Sequence, residues 1–339
     1  MMKRILLLGC IAAMIACTPT KQSTIDTTLQ TKVDSILQNK MSEIGAISGQ
    51  AIVMEVQTGE IKAMVGNANS QESGLIRTAS LLAALETGKV KLSDTVDVGE
   101  GVYEIHNREL LDHNWHRGGY GKLTTLQGLM VNSHIANYKN IERAFTEEQA
   151  YFDMLNKMSY GQPENIEGLD SLKAAYFVTP NDSGWSNTSL AWFCIGYNQR
   201  ISPIQMLTFY NAIANNGKMV KPTLYKGETE VINPQIASKA NIDSLQMALV
   251  KIVTEGLGKP AQSEKVQVAG VSGGSQISTD EDNSEGRVNT IYSVEYCGYF
   301  PAENPKYSII VSMNKVGLPA SGNLMAGSVF KEIVDYMTK

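Results

Sequence analysis

Three serines, Ser73, Ser133 and Ser272, are the candidates for a nucleophile. A hydroxyl attacks only when a base of suitable pKa lies within about 3 Å. Ser73 opens an apolar stretch holding Ala79, Leu82, Ala83 and Leu85, and the fourth residue after it is Arg77. A guanidinium keeps its proton above about pH 12, so Arg77 is no base. Arg77 suits either a structural ion pair with Asp or Glu, or a clamp on a carboxylate or other anion. All four histidines fall between 106 and 134, and His113 and His116 lie near Glu109 and Asp112. That segment is Gly- and Asn-rich loop rather than helix, so the expectation is no metal site and no cofactor. Trp115, Trp185 and Trp192 fit either a groove lining or the core. Cys194 and Cys297 read as small buried hydrophobes, with a single bridge between them the alternative in an oxidising compartment.

The elements that must position these residues follow from periodicity. Gly49–Val56 and Ile61–Val65 form a hairpin around Gln57-Thr58-Gly59-Glu60. A buried helix is predicted over 74–87, stopped by Gly88. Residues 92–122 read as irregular loops and short strands. Helices are predicted over 123–134, 136–158, 203–216, 238–256 and 325–338. Strands are predicted at Val266–Ala269, Ser293–Tyr299 and Tyr307–Met313, with an exposed charged linker over 278–289. The first pair of strands folds beside the last three as one antiparallel sheet, with the terminal helix on one face. The fold class is therefore α+β.

Hydrophobic residues make up 43% of the chain, charged residues 19%, and the net charge is -5. That is an ordinary globular composition, and it excludes a basic nucleic-acid face or a polybasic membrane-surface domain. The N-terminus is different. Lys3 and Arg4 precede an apolar run over 5–16, too short to span a bilayer and suited to a signal peptide. Met14-Ile15-Ala16-Cys17 resembles a bacterial lipobox, making Cys17 the expected lipidation site; Cys10 fits the local pattern with a shorter apolar run, and a cleaved signal without lipid is the other reading. The expected organisation is a lipoprotein signal over 1–17, a tether and amphipathic helix over 18–45 (helical at about 25–43 through Ile25, Leu29, Val33, Ile36 and Leu37), and one domain over 46–339.

Several segments resemble the transpeptidase domain of class B penicillin-binding proteins. Ala51-Ile52-Val53-Met54-Glu55-Val56-Gln57-Thr58-Gly59-Glu60 is similar to the family's first hairpin. Ile195-Gly196-Tyr197-Asn198-Gln199-Arg200-Ile201-Ser202-Pro203-Ile204-Gln205-Met206, continuing through Asn216-Gly217 to Pro222, is the longest match. Gly298-Tyr299-Phe300-Pro301 resembles a late strand pair. The resemblance covers roughly 49–338 and implies a five-stranded antiparallel sheet packed with helices, as in serine β-lactamases. About 30 residues precede the hairpin after the signal, so it implies a stand-alone domain without the family's large N-terminal pedestal.

The family's chemistry uses S-x-x-K at a helix start, S-x-N, and K-T-G on the strand edging the site. Aligned on Ala83-Ala84-Leu85-Glu86, the serine position is Gly74 and the lysine position Arg77. Counting from Leu123-Thr124 gives Asn132-Ser133-His134 for the second motif, and Val271-Ser272-Gly273 stands at the third. Loss of the nucleophile alone costs on the order of 10⁶ in rate. The resemblance therefore implies a domain that has lost peptide-bond chemistry, with Arg77, His134, Ser272 and Gly273 as remnants of a binding cleft. Expected partners are peptidoglycan stem peptide or a cell-wall synthesis or division protein, at a lipid-anchored, periplasm-facing position. The alternatives are an active D,D-transpeptidase or carboxypeptidase, or a β-lactamase-like hydrolase, using a displaced serine such as Ser73.

Overall fold

The computed structural model describes residues 21–67, 69–277 and 290–339. The signal segment with Cys17 and the 278–289 linker lie outside the described residues. Helix α1 (Thr27–Ile44) starts at Asp26, whose side chain accepts hydrogen bonds from the backbone N–H groups of Thr28 and Leu29. It buries Leu29, Val33, Ile36 and Leu37, the face the sequence periodicity selects.

Strands β1 (Ala46–Glu55) and β2 (Ile61–Asn67) form the opening hairpin. Helix α2 (Ile76–Glu86) follows, buried along almost its whole length. Residues 92–124 hold four short strands, β3 (Thr95–Gly99), β4 (Val102–Ile105), β5 (Arg108–Leu111) and β6 (Gly121–Thr124). Helices α3 (Thr125–Met130), α4 (His134–Ala144), α5 (Glu148–Lys157), α6 (Ser189–Phe193), α7 (Pro203–Ala214) and α8 (Lys239–Thr254) make the helical middle. The long strands β7 (Ala269–Ile277), β8 (Ile291–Phe300) and β9 (Tyr307–Val316) and helix α9 (Ala326–Met337) complete the fold.

The five long strands form one sheet in the order β7-β8-β9-β1-β2, antiparallel throughout. Both faces are covered. Ala51 and Val53 point to the layer of α1 and α9, while Ile52 and Met54 point to the helical middle. A strand with two covered faces needs no polar alternation, which is why 51–54 reads as a continuous apolar run. On the outer face Phe330 lies against Tyr296 with ring centres 5.0 Å apart. Aromatic pairs of this kind add about 0.5–1.5 kcal/mol beyond their buried area.

Two expectations need correction. The helix predicted over 136–158 is two helices, broken at Phe145. That residue is extended, with φ -121 and ψ 116, and its buried ring packs edge-on against Tyr151 at 5.5 Å. Tertiary packing of one aromatic overrides a helical pattern. The strand predicted at 266–269 begins where that range ends, at Ala269. The Gly- and Ser-rich run 270–275 reads as a turn in isolation, yet it pairs residue by residue with β8 from Ala269↔Tyr299 to Ile277↔Ile291.

Candidate functional site

The site residues gather where the N-terminus of α2 meets β7, the edge strand of the sheet. Ser73 is buried. Its N–H donates to the Gly196 carbonyl at 3.1 Å, and its hydroxyl donates to Glu295 Oε2 at 2.6 Å. Glu295 comes from β8, on the face turned toward α2, and is 2% exposed. It is one member of a buried polar cluster. Ser312 donates to its other carboxylate oxygen at 3.4 Å, Gln71 donates to Ser293 and Ser312, and Asn314 donates to Gln71. Burial pushes the Glu295 carboxyl up to about 7, against the opposing pull of these hydrogen bonds and of the Arg77 charge. Ser73 thus has a carboxylate within reach, but both groups are sealed inside the protein.

Gly74 is sealed more tightly still. A Cβ at this position would lie 2.6 Å from the Gly274 carbonyl oxygen, 2.9 Å from the Gly274 nitrogen and 2.9 Å from Arg77 Nη1. Two of these three atoms are backbone and have little room to yield. A Cβ on Gly273 would meet Leu75 Cγ at 2.7 Å and Glu295 Oε2 at 2.9 Å. On the other side of β7, Gly322 packs directly on the Gly273 carbonyl oxygen. Residues 272–274 are therefore held between α2 and the 317–325 loop. Glycine at 74 and 273 is what allows so close an approach of helix to strand.

Arg77 is 5% exposed. Its Nη2 donates to the Ser272 carbonyl at 3.4 Å, and its Nε has no hydrogen-bond partner. The ion-pair reading of Arg77 is corrected: no carboxylate lies within 4 Å of it among the described residues. Burial lowers its proton affinity, offset in part by Tyr210 and Glu295. Asn132, in the left-handed conformation at φ 55, donates through Nδ2 to Ser272 Oγ at 2.9 Å. Arg77 and Asn132 line a common cavity of about 10 Å³. That is the space of about one water molecule, too small for a carboxylate group.

The structure thus brings Arg77, Asn132, Ser272 and Gly273 together, with Gly74 and Ser73 beside them and Val271 buried. None of these is presented as an open binding surface. Ser133 serves the backbone: its hydroxyl donates to Asp112 at 2.7 Å and caps α4 by accepting from the Ala136 N–H. His134, at the start of α4, pairs its Nδ1 with the Leu111 carbonyl at 3.0 Å. Burial first, and then the Arg77 charge, push its imidazole down to about 3, so it is neutral at physiological pH.

His113 pairs with the Tyr120 hydroxyl at 3.0 Å. Trp185 donates to Glu148 and packs on Phe152, Trp115 is half exposed, and Trp192 carries the Arg108 guanidinium over its ring. Cys194 and Cys297 are both buried and both free, so no bridge joins them; burial pushes the Cys194 thiol up to about 12. The sequence reading missed Glu295 and Arg108. Glu295 had a signal, a lone carboxylate inside the apolar strand 293–299; Arg108 had none.

A five-stranded antiparallel sheet with helices on both faces, and a buried helix whose N-terminus abuts an edge strand, defines a transpeptidase-type domain. The chain belongs to the penicillin-binding protein transpeptidase domain family, whose model matches residues 49–335. It is 24% identical to penicillin-binding protein PbpB of Mycolicibacterium smegmatis over 94% of this chain and 54% of that protein. It is 22% identical to the peptidoglycan D,D-transpeptidase FtsI of Escherichia coli K12, over 90% of this chain and 53% of that one. The chain spans about half the length of these relatives. Among solved structures, the apo transpeptidase domain of Burkholderia pseudomallei penicillin-binding protein 3 superimposes with a TM-score of 0.80 at 21% identity, covering 93% of this chain and 95% of that one. Penicillin-binding protein 3 of Mycobacterium tuberculosis, complexed with aztreonam, gives 0.78 at 21% identity over 94% of this chain and 78% of that one. These superpositions establish the fold.

Proposed function

We propose that this chain is a non-catalytic, transpeptidase-like domain of the bacterial cell envelope that binds peptidoglycan peptide. One observation carries the non-catalytic part. The backbone of β7 stands against Gly74 so closely that a nucleophilic side chain there would collide with it. Taking Gly74 and Arg77 as the family's serine and lysine positions removes both nucleophile and base. Of the three candidate serines, Ser73 is turned into the core toward Glu295, Ser133 donates to Asp112, and the Ser272 hydroxyl accepts from Asn132. The peptide-binding part is supported by relatives named peptidoglycan D,D-transpeptidases. Lipidation of Cys17 would hold the domain at the membrane, facing the periplasm.

The test is incubation with a fluorescent penicillin followed by intact mass. The expected result is no covalent adduct, together with a rise in unfolding temperature when muropeptides are added. A stable acyl adduct overturns the non-catalytic reading, and repeating the labelling with Ser73→Ala then identifies whether that serine carries it. Incorporation of a fatty-acid analogue that is lost in Cys17→Ser tests the anchor.

A further inference from the structure

One peptide bond away from the sealed cleft lies an open cavity of about 600 Å³, lined by Glu72, Arg108, Trp192, Tyr197, Asn198 and Gln276, among others. That volume is in the range of sites for small organic ligands. Its walls are built rather than incidental. The β4–β5 hairpin turns through His106 and Asn107, both at positive φ, the conformation a tight two-residue hairpin requires. The turn delivers Arg108 over the Trp192 ring, with its guanidinium carbon 4.3 Å from the ring centre. A guanidinium stacked on an indole is held flat, and its in-plane N–H fork stays free to take a carboxylate.

Glu72 is half-buried on the cavity wall, and the Asn198 backbone N–H donates to its carboxylate. The Ser275 hydroxyl donates to the Glu72 carbonyl at 2.8 Å, fixing this residue to β7. None of the ion pairs among the described residues includes Arg108 or Glu72. Two opposite charges therefore line one cavity, and neither is closed into an ion pair among the described residues, although the Arg200 charge and the Asn198 N–H act on Glu72.

We propose that this cavity binds a short zwitterionic peptide, with the peptide carboxylate on the Arg108 fork and its ammonium on the Glu72 carboxylate. The assignment deepens the peptide-binding reading above and rests on it. The aromatic walls of Trp192 and Tyr197 would cover the peptide's apolar atoms, and the side-chain amides of Asn198 and Gln276 would meet its backbone.

The experiment is calorimetric titration of the whole chain with trialanine, as the all-L and the all-D peptide, and with the N-acetylated and the C-amidated forms of each. The expected result is saturable binding of one free trialanine, weakened roughly ten-fold or more by blocking either end, as loss of a charge-assisted hydrogen bond implies. Arg108→Ala should lower affinity for the free peptide and no longer distinguish it from the amide. Glu72→Gln should no longer distinguish it from the acetylated form. Arg108 is exposed and Glu72 half-buried, and unchanged unfolding midpoints would separate lost binding from lost fold. Absence of saturable binding, equal binding of free and blocked peptides, or an Arg108→Ala variant that binds like the parent would each overturn the site. A muropeptide-induced rise in unfolding temperature that persists in Arg108→Ala would overturn this site and leave the peptide-binding reading standing, whereas no rise in the parent would sink that reading itself, so the two failures are distinguishable.

Discussion

Ser73 and Glu72 are neighbours in sequence and belong to opposite environments. Ser73 turns into a region where helix, strand and loop close on one another, and its hydroxyl is spent on Glu295. Glu72 lines an open cavity, where neither it nor Arg108 is closed into an ion pair among the described residues. The sealed region is core: Ser73 and Ser312 bond to Glu295, and Gln71 bonds Ser293, Ser312 and Asn314, as most buried polar groups do, with Asn314 Oδ1 the exception that has no partner among the described residues. The open region keeps charged groups outside any close ion pair, and exposed charges of this kind add little to stability. Polar groups that bond each other hold a fold together, while polar groups left facing a cavity are available to a ligand.

Gly74→Val should have the largest effect on that contrast. It would drive side-chain atoms into the Gly274 backbone, and overpacking of this kind costs about 3 kcal/mol or more when backbone must move. Chemical denaturation checks it. Gly74→Ser should destabilise in the same direction and by less, and it should gain no penicillin adduct even when combined with Arg77→Lys. A parent-like stability for Gly74→Val would mean the region is open after all.

Next in size is the pH dependence owed to Glu295. Its carboxyl is raised from the ordinary 4.5 to about 7, so between those values the folded chain holds a proton that the unfolded chain has released. Stability from this group is whole below pH 4.5 and falls as pH rises to 7, by on the order of 3 kcal/mol. Glu295→Gln, neutral at every pH, should remove that slope. A difference between parent and variant that stays constant from pH 4 to 8 would refute it. His134 works the other way: its pKa is depressed to about 3, so the stability it supports is lost as pH falls below 6.5. His134→Gln should flatten the acid limb of the same profile.

Smaller effects sharpen the contrast. Arg77→Met should change stability by less than about 2 kcal/mol in either direction, because it removes a buried charge with no ion-pair partner. A loss above that figure would show that Arg77 is held by more than its bond to the Ser272 carbonyl. Smallest is Arg108→Ala, expected within about 0.5 kcal/mol of the parent and visible only in peptide titration.

Much of the fold was legible in the sequence. The apolar runs of 49–56, 293–299 and 307–313, and the helix over 203–216 that ends before Gly217, are local patterns with local causes. That Gly74 has no nucleophile and Arg77 no free base needs only residue identity, whereas their place at the family's serine and lysine positions rests on the alignment proposed above. What the sequence left open was settled by packing. The break at Phe145 accompanies the burial of its ring against Tyr151. The extended path of 270–275 depends on pairing with β8, because a Gly-Ser run has no strand preference of its own.

The contents of the site divide the same way. Residue type by itself determined that Arg77 is no base and that Gly74 carries no nucleophile. Only the tertiary structure decided that Arg77 lacks an ion-pair partner, that Glu295 answers Ser73 across 222 positions of sequence, and that Arg108 stands over Trp192. A side chain's chemistry is fixed by its covalent structure, but its partners and solvent exposure are set by chain segments far away in sequence.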